Sequence, residues 1–334
     1  LEKLARDEPD VTANQSSLAR TYGLIGVQLD ALARQAEAIK EYEAAVAILR
    51  RLVEANPDVT EFQQELTWIY VNISVDLSDL GKTVEAMVAS QGALAISRKL
   101  AEANPEITVF QQGLSHAYNM TGVLLTTMQK PDEALEALEA GLAIQQRLAE
   151  AHPEITEHRL RFARFYNNIS DLHRKQHRAA EACAGYDRAL AIKEPLVREN
   201  PTNTWYREHL AVSLWERGQA RLDLGDNSGA AGDTRRSLDM WDAMSTRDAY
   251  GWFATACCHA VLSALAGRDG SGILAADGPA EADRALALVR KAISVGYRNP
   301  AYYRIEPALD SLRERDDFQE LMRDLAFPAT PFAR

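Results

Sequence analysis

Asn56-Pro57-Asp58-Val59-Thr60-Glu61-Phe62-Gln63 is the stretch whose reading decides the fold, because close copies of it return at a fixed interval. Asn104-Pro105-Glu106-Ile107-Thr108-Val109-Phe110-Gln111 is one copy. His152-Pro153-Glu154-Ile155-Thr156, Asn200-Pro201-Thr202-Asn203-Thr204 and Glu8-Pro9-Asp10-Val11-Thr12 are the others. The prolines stand at 9, 57, 105, 153 and 201, a constant step of 48 residues. A period of this length marks a repeat architecture in which each unit packs on its neighbours, so the 334-residue length gives no count of globular domains.

Within each copy the proline stops a helix, since it lacks the amide donor and its ring clashes with the preceding turn. A threonine follows three residues later, and Thr12, Thr60 and Thr108 are each followed by Gln15, Gln63 and Gln111, the spacing of a capping box. The motif reads as stop, short turn, start. Downstream come Tyr22, Tyr70, Tyr118, Tyr166 and Leu214, each followed after four residues by a small residue: Gly26, Ser74, Gly122, Ser170 and Gly218. A bulky residue and a small one a turn apart describe a helix that a partner approaches closely. Twelve residues beyond each small residue stands Ala38, Ala86, Ala134, Ala182 or Ala230, where a second helix is expected to open. Ala45, Ala93, Gly141, Ala189 and Ser237 follow, then apolar pairs such as Ile48/Leu52 and Ile96/Leu100 at i, i+4 spacing. Two antiparallel helices per unit are predicted.

The order bulky, small, alanine, bulky, small resembles the tetratricopeptide repeat, most clearly over residues 70–93, 118–141 and 166–189, where Tyr166, Ser170, Ala182, Tyr186 and Ala189 hold the motif positions. That family's usual unit has 34 residues, so this chain carries lengthened helices, close to two extra turns on each. The resemblance implies an all-α fold: a right-handed α-solenoid of 48-residue helical hairpins closed by a C-terminal helical cap. Residues 12–248 are read as five repeats and 1–11 as the end of a truncated upstream repeat. Residues 249–299 are read as a degenerate sixth repeat, with helices at 250–266 and 280–295 and a loop insertion rich in glycine, Gly267 to Gly278. Residues 300–334 form the expected cap.

The recurring Asn-Pro-x-(Val/Ile)-Thr-x-Phe-Gln motif and the ending Asp317-Phe318-Gln319-Glu320-Leu321, Asp324-Leu325-Ala326-Phe327-Pro328 and Pro331-Phe332-Ala333-Arg334 resemble the C-terminal regions of planctomycete-type bacterial serine/threonine protein kinases. That resemblance implies a kinase domain upstream. Leu1 to Pro9 aligns with Arg98 to Pro105, the end of a repeat, which fits a longer parent.

A formal charge of -11, with 25% charged residues, describes an acidic surface unsuited to general binding of nucleic acid or anionic membrane. Cys183, Cys257 and Cys258 match no disulfide or metal framework and are read as reduced thiols, which points to a cytoplasmic setting. No apolar run is long enough to span a membrane. The phosphate loop, strand lysine and paired aspartates of kinase chemistry are not assembled, and Asp223-Leu224-Gly225 falls at the repeat's own turn. His173 and His177 stand at i, i+4 without a third ligand, and Cys257-Cys258-His259 are adjacent residues that diverge on a helix, so no metal or other cofactor is expected.

In the family that the repeats resemble, the first helices line a concave face on which a peptide lies. Projecting that face onto this sequence selects Trp68, Asn72, His116, Asn119, Arg164, Asn167, Asn168, Arg174, Lys175 and Trp215. Asparagine amides both donate and accept, so a row of them suits an extended peptide backbone. The expected function is a protein-interaction module that binds a protein or peptide, acting as the regulatory or scaffolding tail of a kinase. A purely structural or oligomerising spacer is the first alternative. An unrecognised enzyme is the second, and the oligomeric state is left open by the sequence.

Overall fold

The computed structural model describes residues 12–298 and 300–326, and every regular element among them is helical. The repeat end expected at 1–11 and the closing Phe327-Pro328 and Pro331-Phe332 segments lie outside the described residues. The chain divides into two compact units, residues 1–158 and 159–334.

In the first unit three hairpins follow one another: α1 (Thr12–Ala31) with α2 (Gln35–Ala55), α3 (Thr60–Asp79) with α4 (Thr83–Ala103), and α5 (Thr108–Thr127) with α6 (Pro131–Ala151). The second helix of a hairpin packs in turn on the first helix of the next. The second unit holds α7 (Thr156–Lys175) from Arg159 onward, α8 (Ala179–Glu199), α9 (Thr204–Asp223), α10 (Asn227–Asp242), α11 (Ala249–Leu265) and α12 (Gly278–Ser294). A short helix α13 (Pro300–Ile305), a 3-10 turn (Pro307–Leu312) and α14 (Asp316–Ala326) follow, the 3-10 turn lying on α11.

The small residues do what their spacing predicts. Gly26, Ser74, Gly122, Ser170 and Gly218 are buried, as are the five alanines twelve residues on. A Cβ added at Gly26 would lie 2.4 Å from the Tyr42 ring, and one at Gly122 would lie 2.6 Å from Leu138 and 3.3 Å from the Ala134 carbonyl. Ser74 Oγ spends the same closeness on a hydrogen bond of 3.0 Å to the Ala86 carbonyl. Tyr70 and Tyr118 complete the seam from outside, each under a guanidinium, Arg50 and Arg98 respectively.

Two local expectations are corrected. Thr60 and Thr108 are the first helical residues, and the preceding caps, Val59 and Ile107, have no side-chain oxygen to offer. Gln63 and Gln111 bind backward across the turn instead, donating to the Pro57 and Pro105 carbonyls at 2.8 and 3.3 Å. The alanines at 38, 86, 134, 182 and 230 do not open the second helices but sit in their first turns. Pro195 lies inside α8 near its end, where its ring removes only the bond to the Ala191 carbonyl, so the helix continues to Glu199.

The sharpest punctuation comes at the end of each first helix. Residues 33, 81, 129, 177 and 225 all take positive φ, from 56° to 79°. The amide three residues past the helix end bonds back five residues, as in Lys82 to the Leu77 carbonyl at 2.8 Å and Asp226 to the Arg221 carbonyl at 2.9 Å. Gly81 and Gly225 accept this conformation without penalty, whereas Ala33, Gln129 and His177 carry a cost of about 1–2 kcal/mol each.

In the second unit a broad apolar cluster gathers Trp215, Phe253, Val261, Leu286, Leu309 and Phe318 around α11. Cys257 and Cys258 are completely buried there as free thiols, and burial pushes both thiols up.

Candidate functional site

The candidate face of the first unit is carried by α3. Glu65, Trp68, Asn72, Asp76 and Asp79 recur at i, i+3 or i, i+4 intervals along that helix, which keeps them near one side of it. Trp68 is 43% exposed, and its ring edge rests where a Cβ of residue 23 would be, 2.9 Å away, so Gly23 of α1 provides the seat for the indole. Glu65 is held by Arg20 Nε at 2.9 Å. The Asn72 amide nitrogen is shielded from solvent and makes no hydrogen bond, and Asp76 Oδ2 is in the same state. Asp76 is 1% exposed and has the Asp30 carboxyl for a neighbour. Burial first, then the neighbouring charges of Asp30 and Asp79, push its carboxyl up to about 8; burial and Asp30 raise Asp79 to about 6. On α5, His116 is half-buried and Asn119 is buried.

The second unit handles polar groups differently. Lys193 Nζ, fully buried on α8, donates to Ser213 Oγ at 2.5 Å; Ser213 Oγ donates to Asn167 Oδ1 at 3.1 Å; Asn167 Nδ2 donates to Glu216 Oε2 at 2.7 Å. The chain links an ammonium to a carboxylate through Ser213 and Asn167, with Asn167 Nδ2 also donating back to Ser213 Oγ at 2.8 Å, a network in which each bond polarises the next. Burial pushes the Glu216 carboxyl up and the Lys193 ammonium down, and each opposes the other's shift. Burial, with Lys193 and Arg164, also pushes His209 down to about 3. Beside this chain, Asp171 accepts from Lys175 at 2.7 Å and Arg174 at 3.4 Å. Burial would raise the Asp171 carboxyl, but the two cations together hold it below its ordinary value. Arg174 is mostly buried next to the Tyr186 hydroxyl, while Lys175 is 45% exposed.

The ten residues selected from the sequence therefore fall into two groups. Trp68, Asn72, His116, Arg164, Asn168 and Lys175 retain accessible surface, as does the Arg174 residue in part. Asn119, Asn167 and Trp215 are buried: Asn167 cross-links α7 to α9, and Trp215 stands in the apolar cluster with Phe253 and Val261. His177 occupies the positive-φ turn after α7 instead of a helical position, so it does not stand a helical turn above His173. No group of three or more His, Cys, Asp or Glu side chains among the described residues is placed to hold a metal ion. No helix among them is long and apolar enough to cross a membrane.

One feature escaped the sequence. The second full copy of the proline turn borders a cavity of about 450 Å³ between Ala101, Pro105, Gln111, Leu114, Ile144 and Arg147. Its lining differs from the same positions one repeat earlier, Ala101 standing where that repeat has Val53, Arg147 where it has Lys99 and His152 where it has Asn104.

No family model matches the chain, and no curated protein matches it in sequence. Solved structures do resemble it. The apo form of RapI matches with a TM-score of 0.61 at 14% identity, over 92% of this chain and 98% of that one. A Rap protein complexed with Competence and Sporulation Factor matches with a TM-score of 0.57 at 16% identity, over 91% and 75%. BtubC (BKLC) from P. vanneervenii matches with a TM-score of 0.51 at 17% identity, over 79% and 91%. At these identities the likeness establishes the fold, a tetratricopeptide-type succession of helical hairpins.

Proposed function

We propose that this chain is a protein-interaction module that binds a peptide or an extended protein segment on the face presented by the first helices of its hairpins. The observation that carries the reading is α3: an indole left 43% exposed beside a shielded amide nitrogen without a hydrogen-bond partner. An unmet donor costs about 1–3 kcal/mol when buried, a cost that a peptide carbonyl would remove. Aromatic side chains of this kind anchor interfaces. One protein of like fold was solved with Competence and Sporulation Factor, which supports a ligand for this scaffold without naming it.

The test uses the intact chain and its Trp68→Ala and Asn72→Ala variants as immobilised baits in a native lysate, with far-UV circular dichroism to verify that all three fold alike. A protein retained by the parent chain and lost from both variants is the expected result. Equal retention by all three baits overturns the proposal. Asn119, Asn167 and Trp215 are unsuitable for this test because their substitution disturbs the interior.

The resemblance of the repeat motif and of the Asp317 to Leu321 segment to kinase C-terminal regions supports a narrower reading, in which the module is the regulatory or scaffolding tail of a serine/threonine kinase in the cytoplasm. A parent reading frame without kinase motifs would remove that reading while leaving the interaction module intact.

A further inference from the structure

The end of the second unit carries a concentration of positive charge that runs against the acidic balance of the chain. Arg304 on α13, Arg313 after the 3-10 turn and Arg323 on α14 surround a depression of about 400 Å³ whose remaining walls are Phe318, Gln319 and Met322. Phe318 and Met322 are 3% and 5% exposed, so the floor is the edge of the apolar cluster itself. The three guanidinium groups are not equally committed. Arg313 is engaged on two sides, donating from Nε to Asp310 at 2.5 Å and from Nη2 to the Glu306 carbonyl at 2.8 Å. Among the described residues Arg304 reaches only the Met322 carbonyl, at 3.5 Å, and is otherwise exposed. Arg323 is exposed in the last turn of α14, where a cation complements the helix dipole, a role that leaves its five donors available.

We propose that this depression binds an acidic peptide segment of a partner protein, with a carboxylate between Arg304 and Arg323 and an adjoining apolar side chain against Phe318 and Met322. Guanidinium groups present a planar fork that suits a carboxylate with two parallel hydrogen bonds, and such charge-assisted bonds are about twice as strong as neutral ones. The volume is well above the ~150 Å³ that an apolar cavity needs to hold a benzene ring. Arg313, tied back by Asp310 and Glu306, holds the rim in shape and adds charge without having to move. The site shares no residue with the α3 face, so failure at one leaves the other unaffected.

The experiment is fluorescence anisotropy with the full chain and two labelled peptides, acetyl-Gly-Glu-Phe-Glu-Gly-amide and its Gln-Phe-Gln analogue, in 50 and 300 mM salt. The acidic peptide should bind at least tenfold more tightly than the neutral one, and its affinity should fall with salt. Arg304→Ala and Arg323→Ala should each weaken the acidic peptide about fivefold to tenfold with no change in the circular dichroism melt, since both side chains are exposed. Equal binding by parent and variants overturns the proposal, as does equal binding of the two peptides. Displacement of the peptide by inorganic phosphate at low millimolar concentration also overturns it, because it would reduce the site to an unspecific anion contact.

Discussion

The two units bury charge in opposite ways. On α3 of the first unit the influences on Asp76 are burial, Asp30 and Asp79, and all of them raise it. In the second unit three sets of buried charge have opposites at hand: Lys193 reaches Glu216 through Ser213 and Asn167, Arg174 and Lys175 share Asp171, and Arg217 forks onto Asp233 with two bonds of 2.7 Å. Both units use the same hairpin, with small residues at the same register positions. The difference lies in what fills the face of the first helices. A paired interior gains rigidity from its network, although the second unit too keeps shielded polar atoms without hydrogen bonds, among them Trp215 Nε1, Gln219 Oε1 and Trp241 Nε1. An unpaired one stores a cost that binding can release.

The comparison breaks most decisively at Lys193. Lys193→Met keeps the length of the side chain and removes the ammonium, leaving Ser213 and Asn167 without the head of their chain and Glu216 without its counter-charge. Removing one partner of a buried pair costs about 3–5 kcal/mol, and urea denaturation followed at Trp215 and Trp241 should show a loss of that order. Glu216→Gln in the Lys193→Met background should recover most of it, because the amide oxygen still accepts from Asn167 and no charge remains to be buried. A double-mutant cycle that gives additive losses would show that the four side chains do not act as one chain.

For the first unit the prediction concerns pH. Asp76 and Asp79 have folded values above those of an unfolded carboxyl, so the folded unit holds their protons more tightly. Their contribution to stability is fully present below about pH 4, and it is lost as pH rises through about 6 for Asp79 and about 8 for Asp76. The unit should therefore weaken from pH 5 to pH 9. Asp76→Asn should remove the upper part of that decline and stabilise the unit at pH 9 by on the order of 1–3 kcal/mol, the usual size of a single-site effect. Trp68 is the one tryptophan before residue 159, so its fluorescence reports this unit by itself. A decline of the same size in Asp76→Asn would show that the carboxyl is not the source.

This contrast was only half legible in the sequence. Spacing revealed the hairpins because the positions that set helix contact, Gly26 to Ala38 or Gly122 to Ala134, tolerate almost nothing but small side chains. The left-handed conformation of the turns after the first helices stayed hidden, since Ala33, Gln129 and His177 adopt positive φ against their own preference, under the demand of the repeat. The face was legible as a set of positions but not as a set of exposures. Asn72, Asn119 and Asn167 read alike in sequence, and their fates differ because the helix packed opposite each one differs: Asn167 meets Ser213 and Glu216, whereas the Asn72 amide nitrogen meets no acceptor. Trp215 looked like a surface anchor because its position follows Leu214, yet α10 and α11 enclose it.

The smallest expected effect is also the one that separates stability from binding. Lys175 is the solvent end of the Asp171 cluster, 45% exposed and 2.7 Å from a carboxylate that Arg174 also holds from the buried side. Lys175→Ala leaves Asp171 with Arg174, and an exposed i, i+4 pair contributes only about 0.3–0.5 kcal/mol. The urea midpoint should therefore move hardly at all. A shift above about 1 kcal/mol would mean that Lys175 is bound into the interior network and that the paired character of the second unit extends to its surface. With stability unchanged, the effect on a captured partner becomes diagnostic. A weaker complex with the Lys175→Ala bait would place a ligand's negative charge at the end of α7, whereas an unchanged one would leave the binding face to the first unit, with Trp68 and the Asn72 amide nitrogen.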